Sequence, residues 1–175
     1  MYSIKGDFYK ACMLIILGAI FDSVDGRVAR LTGTQSSFGE QFDSLSDLIS
    51  FGIAPSLIFY NKFLIPFGRL GMLAAFLFLL CGALRLARFN ANIDKVKSDY
   101  FQGLPIPGAA AALISFILVS DIIPHHYFNN KYVFFPYIFV YSILMVSSLP
   151  FPSFKKADWV KKHKRKVLFF ILIIA

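Results

Sequence analysis

Charge is scarce in this chain, and cysteine is scarcer. Only 16% of its residues are Asp, Glu, Lys or Arg, and two of 175 are cysteine. With 57% of the residues apolar, one small soluble core could not bury the excess, and a membrane is the natural solvent for it. Both cysteines, Cys12 and Cys81, fall within apolar runs, where a thiol behaves as a small buried hydrophobe, so neither is assigned chemistry. The first apolar run lacks a short basic leader and a small-residue cleavage site, which argues for a permanent helix rather than a removable signal peptide. The absence of internal repeats and low-complexity linkers assigns residues 1–175 to a single membrane domain. The ~10-residue alternating strands of a membrane barrel are missing too, and lipid cannot satisfy free backbone groups, so the spanning segments must be helices.

Apolar segments run from Phe8 to Phe21, Leu45 to Tyr60, Leu70 to Leu84, Ile106 to Ile123 and Tyr132 to Leu149, and a last one opens at Val167. A span takes ~20 mostly apolar residues, so several of these need their polar flanks to cross. The expected fold class is therefore all-α, a polytopic transmembrane helical bundle of five complete helices and a sixth cut off at Ala175. Asn61 to Gly68 and Pro124 to Asn130 are predicted as brief outer loops, Asn90 to Gly103 and Pro150 to Lys166 as longer inner ones. The formal net charge of +8 could suggest nucleic acid. Its distribution points instead to topology: Arg27 and Arg30, then Arg85, Arg88, Lys95 and Lys97, then the basic run from Lys155 to Lys166 share one side, which the positive-inside rule makes cytoplasmic. The stretch from Lys161 to Lys166 also suits anionic lipid headgroups. Met1 to Lys10 would then begin outside, an arrangement that a further helix before Met1 explains, leaving the domain incomplete at both ends. Gly71, Ala74 and Ala75 permit close helix contact within one chain or, equally, between two chains of a homodimer.

Chemistry concentrates at the end of the first segment. The sequence there reads Asp22, Ser23, Val24, Asp25, Gly26, Arg27, Val28, Ala29, Arg30, and eight residues later come Gly39, Asp43 and Asp47. Asp22 and Asp25 are spaced i,i+3 and Asp43 and Asp47 i,i+4, so each pair shares a helix face. Two unit charges ~4 Å apart repel by ~1 kcal/mol even in bulk water, and four carboxylates would not gather without cations. With oxygen ligands only and no His or Cys in the cluster, Mg²⁺ or Mn²⁺ suits these aspartates better than zinc. Such ions commonly complete their shell with substrate phosphates. Gly26, Ala29 and Gly39 keep the backbone open to a ligand, Arg30 can grip a phosphate with two hydrogen bonds, and Ser36 offers a hydroxyl. Taken singly, Asp22 and Asp43 could cap helices while Asp25 and Asp47 pair with Arg27 and Arg30 in a solvated turn. Together, at fixed spacing and at a membrane boundary, the four read as a functional site.

The string from Asp22 to Asp47 resembles the signature of the CDP-alcohol phosphatidyltransferases, D-x2-D-G-x2-A-R-x8-G-x3-D-x3-D, matched at every specified position. Ser50 to Pro55, Arg85 to Asn90 and Gly103 to Pro107 resemble the phosphatidylserine synthase branch of that family. The resemblance covers most of Phe21 to Ala112 and implies a six-helix membrane enzyme. It further implies that Asp22, Asp25, Asp43 and Asp47 hold two divalent ions, that Asp25, Gly26, Ala29, Arg30, Ser36 and Gly39 contact the CDP portion of CDP-diacylglycerol, and that Asp47 accepts the proton. Arg85, Arg88 and Asn90 are candidates for the serine carboxylate or the diphosphate, although both arginines could simply snorkel at the interface. The implied reaction is transfer of a phosphatidyl group to L-serine on the cytoplasmic side of the cell membrane. Alternatives are the same chemistry on glycerol 3-phosphate or inositol phosphate, a cation transporter lined by intramembrane acids, and an inert structural protein. His125, His126 and His163 are given no role.

Overall fold

A computed structural model describes residues 2–32, 36–92, 100–122 and 133–152. Five helices dominate it. Helix α1 spans Phe8–Thr32, its 25 residues reaching about 37 Å. Helix α2 is a continuous helical rod over residues 37–67, and α3 spans Arg69–Asn92, α4 Ile106–Ile122 and α5 Phe134–Val146. Two three-residue strands, β1 at Tyr100–Gln102 and β2 at Pro150–Pro152, pair antiparallel and join the approaches to α4 and the exit from α5. The expectation of an all-α membrane bundle holds, with this short ribbon as an addition to it.

The predicted outer loop from Asn61 to Gly68 is corrected by the structure. Residues 60–67 remain helical, and the chain turns only at Gly68, whose φ of +55° suits a residue without Cβ. Two widened π-type turns, Leu48–Ile53 and Tyr60–Leu64, interrupt α2. The first ends just before Pro55, which cannot donate to the carbonyl a turn behind it, and a wider turn accommodates that missing bond. The predicted outer loop at Pro124 to Asn130, residues 93–99 and 153–166 of the predicted inner loops, and the last apolar run from Val167 lie outside the described residues.

Helices alternate in direction. At one end, Asn61 donates to Ser3 Oγ (2.9 Å), Lys62 bonds Asp121, and Phe67 meets Phe135 edge-on, so the start of α1, the end of α2, the end of α4 and the start of α5 gather there. At the other, Asn90 bonds Ser44, Arg88 bonds the Val146 carbonyl, and Leu104 N–H donates to the Leu144 carbonyl, gathering the start of α2, the end of α3, the start of α4 and the end of α5. The interior between these ends is apolar and aromatic: Phe59, Phe78, Leu113, Ile117 and Ile138 are fully buried, and Phe63 stacks on Phe134 at 4.5 Å. Outward, by contrast, the helices present Leu17, Phe21, Leu70, Leu73, Phe76 and Ile143 to the surroundings. A soluble bundle would put those side chains inside and polar ones outside; this one is solvated by lipid. Helix α2 and the stretch Arg69–Ala91 are each long and apolar enough to cross.

Gly71, Ala74 and Ala75 are all buried within the single chain. A Cβ at position 71 would collide with the Leu64 carbonyl oxygen of α2. Because that obstacle is backbone, Gly71→Ala should destabilise the fold by ~1–3 kcal/mol, the range for overpacking. Gly18, on the open face of α1, meets nothing within 4 Å. Gly18→Ala should be neutral or slightly stabilising through helix propensity. Thermal unfolding of both variants in one detergent checks the contrast, and equal melting temperatures would contradict the close helix approach.

Candidate active site

The site end of the bundle is built mainly by α1, α2 and α3. The last turns of α1 carry Asp22, Asp25 and Gly26, with Asp22 half-buried and Asp25 exposed. Ala29 and Arg30 continue the same helix, but their side chains lie outside the described ones. Ser36 begins α2 as its N-cap: its extended backbone turns the chain, and its Oγ accepts the Gly39 N–H at 3.1 Å. The cap gives Gly39 a local reason besides ligand access, since a Cβ there would stand 3.1 Å from Ser36 Oγ. The Ser36 hydroxyl proton is not used by this cap and stays free to donate.

One and two turns further, α2 presents Asp43, exposed, and Asp47, half-buried. Asp22 lies within electrostatic reach of Asp25 and Asp43, and Asp47 within reach of Asp22, Asp43 and Arg85. The two carboxylate pairs separated by the eight-residue spacing thus occupy one end of the bundle. Among the described residues, no three acidic, histidine or cysteine side chains form a ready ligand set. The donors nonetheless suit a hard divalent ion: they are carboxylate oxygens, and Asp47 Oδ1 is buried without a hydrogen bond. A buried carboxylate oxygen with no partner is costly, and a cation or a substrate proton would satisfy it.

Helix α3 brings three polar residues to the same end, and the structure separates them. Arg88 Nη1 donates to the Val146 carbonyl at 2.8 Å, tying α3 to the end of α5. Asn90 Nδ2 donates to Ser44 Oγ at 3.0 Å and to Gln41 Oε1 at 3.3 Å, tying α3 to the start of α2. The Ser44 hydroxyl also reaches the Glu40 carbonyl at 3.1 Å. Arg85 differs: its Nε is buried with no hydrogen bond, and its guanidinium lies 5.7 Å from the Phe89 ring centre. Sequence reasoning missed Gln41 and Ser44. Their signal was present as a spacing of three on the face beside Asp43 and Asp47, but polar residues in the early turns of a helix are too common to single out.

Behind the carboxylates, Gly82 of α3 meets the start of α4. A Cβ on Gly82 would stand 2.7 Å from Ile106 Cδ1, so a larger residue there would require the end of the Ile106 side chain to shift. Between α1 and α4, beside Phe51, an apolar groove of about 260 Å³ is lined by Ile15, Ala19, Pro107, Ala111 and Ile114 among others.

A sequence model of the CDP-alcohol phosphatidyltransferase family matches residues 1–154. A CDP-diacylglycerol–serine O-phosphatidyltransferase of Helicobacter pylori is 42% identical over 175 residues, covering 99% of this chain and 73% of the relative. An archaetidylserine synthase of Methanothermobacter thermautotrophicus is 42% identical over 154 residues, covering 87% of this chain and 62% of the relative. A CDP-diacylglycerol–serine O-phosphatidyltransferase of Saccharomyces cerevisiae is 40% identical over 150 residues, covering 77% of this chain and 53% of the relative.

Proposed function

The chain belongs to the CDP-alcohol phosphatidyltransferase family, and from that premise we propose that it transfers the phosphatidyl group of CDP-diacylglycerol to L-serine, giving phosphatidylserine and CMP. The observation that carries the reading is the meeting of the Asp22 and Asp25 turn of α1 with the Asp43 and Asp47 turns of α2, where Asp47 keeps a buried oxygen without a partner. Serine is favoured over other acceptors because relatives from a bacterium, an archaeon and a yeast carry serine in their names.

Asp22, Asp25, Asp43 and Asp47 would hold two Mg²⁺ or Mn²⁺ ions, which supply charge neutralisation for the diphosphate when bound. The protein's own contributions follow from its residues. Asp47 receives the proton of the serine hydroxyl as the serine oxygen forms its bond to the lipid-side phosphorus. The bond from that phosphorus to the CMP oxygen breaks in the same displacement, and CMP departs with the electron pair. Gly26, Ala29 and Gly39 leave the backbone open beside the nucleotide, while Arg30 and the Ser36 hydroxyl donate hydrogen bonds to it. The acyl chains stay in lipid throughout, and the concentration of basic residues in the sequence segments after α1, α3 and α5 supports a cytoplasmic setting for this end.

The test is release of CMP from CDP-diacylglycerol with serine, glycerol 3-phosphate or inositol phosphate offered separately and the metal titrated. Serine should be the productive acceptor; turnover with either phosphate and none with serine would refute the proposed acceptor. In the same assay Asp22→Asn should raise the concentration of Mg²⁺ or Mn²⁺ needed for half-maximal rate by ~10-fold or more, the scale of losing one charge partner. An unchanged metal requirement would remove Asp22 from the ligand set.

A further inference from the structure

Two buried polar atoms at the site end lack partners, and they carry opposite charge. Asp47 Oδ1 on α2 and Arg85 Nε on α3 are both shielded from solvent, and neither makes a hydrogen bond among the described residues. The two groups feel each other electrostatically without closing into an ion pair. Opposite charges with atoms shielded from water gain by pairing, because leaving each such atom alone wastes its desolvation. Their separation is maintained by the bundle: Asn90 pins α3 to Ser44 and Gln41 on one side, and Arg88 pins it to Val146 on the other.

The three polar residues at the end of α3 are therefore not equivalent. Arg88 is engaged by a backbone carbonyl, and Asn90 by two side chains of α2. Arg85 alone keeps an inward-facing donor unspent, while the nearby Phe89 ring steadies its guanidinium. A planar guanidinium with free N–H groups matches a carboxylate in two-point geometry. A hydroxyl-bearing amino acid would satisfy both orphans at once, its carboxylate on Arg85 and its hydroxyl on Asp47. We propose that Arg85 is the residue that recognises the carboxylate of the acceptor, and that Asn90 and Arg88 are positioning residues that hold α3 open for it. This inference rests on the serine reading above and deepens it, since an acceptor without a carboxylate would leave Arg85 unsatisfied.

The experiment compares the full chain in lipid nanodiscs with Arg85→Gln and Arg85→Lys, using CMP release with serine or with ethanolamine, which is serine without its carboxylate. Arg85→Gln should raise the KM for serine by at least ~30-fold, the scale of losing a paired charge-assisted contact. The KM for CDP-diacylglycerol should stay within about threefold, and the preference for serine over ethanolamine should collapse. Arg85→Lys keeps the charge without the fork and should fall between the two. If the glutamine variant melts far below its parent, the lysine variant decides alone: a raised serine KM with unchanged CDP-diacylglycerol KM supports the assignment. An unchanged serine KM, or a CDP-diacylglycerol KM that rises by the same factor with either acceptor, overturns it and returns Arg85 to the diphosphate. A parent that releases no CMP with serine refutes the proposed function itself, before any variant is read.

Discussion

Asp47→Asn should reduce turnover of CDP-diacylglycerol with serine by at least ~10²-fold, and up to ~10⁴-fold, because it removes the proton acceptor while keeping nearly the same shape. The substitution is close to isosteric, so the packing around residue 47 should survive it. What changes is capacity: the amide can no longer take up a proton, and one of its two terminal atoms becomes a donor. In this fold that change is felt at a buried position, since Asp47 Oδ1 is sealed from solvent and has no other partner to share the load. The loss can exceed the base term alone, because the same side chain belongs to the proposed metal ligands. Titrating Mg²⁺ or Mn²⁺ to saturation in the CMP assay separates the two parts: the ligand part shrinks as metal rises, whereas the base part persists. Near-parental turnover of the asparagine variant at saturating metal would remove Asp47 from the role of base. A serine Michaelis constant that rises while turnover holds would instead assign it to acceptor binding.

The four aspartates were legible because spacing alone decides which helix faces they share, and helix continuity through Asp22 to Asp25 and Asp43 to Asp47 was the only structural input required. Their convergence at one end of the bundle also follows from short-range topology, since only a few residues separate the end of α1 from the start of α2. The ranking of Arg85, Arg88 and Asn90 was not legible. All three sit in one run at the end of α3, and the distinction among them depends on Val146 and on Ser44 with Gln41, partners that lie 46 to 58 residues away in the chain. No local pattern encodes such contacts.

The end of α2 was misread for a physical reason. Asn61 and Lys62 break the apolar run, and Pro66 follows shortly after, a combination that normally marks a loop. The helix continues because tertiary partners satisfy those polar groups: Asn61 reaches Ser3, and Lys62 reaches Asp121 together with the Ile117 carbonyl at 3.2 Å. Pro66 falls in a final tightened turn, where its missing N–H costs little. Cys12 lies in the same neighbourhood, fully buried near the Lys62 and Asp121 charges, and fills space as a small apolar residue would.

That polar anchor predicts an asymmetric response. Lys62 has a side chain only 12% exposed, whereas Asp121 is 47% exposed. The ammonium rests between the rings of Phe8 and Phe63, at 5.4 and 5.6 Å from their centres, so one residue links α1, α2 and α4. Asp121→Asn removes the countercharge and leaves a nearly buried cation with a carbonyl and two ring faces. Breaking a buried pair from one side costs ~3–5 kcal/mol, and the partial exposure of the carboxylate end puts this case near the lower figure. Lys62→Met leaves a carboxylate that water already reaches, and its unbranched side chain can fill much of the vacated space between the two rings. It should cost less, and Lys62→Met combined with Asp121→Asn should recover part of the loss caused by Asp121→Asn alone, because no unpaired buried charge remains. Thermal unfolding of the parent, the two single variants and the double variant in one detergent supplies the cycle. The pair sits at the end of the bundle opposite Asp22, Asp43 and Asp47, so CMP release at a temperature where all four remain folded should change little. A lower melting temperature for Lys62→Met than for Asp121→Asn would show that the lysine is held chiefly by its packing and not by its charge.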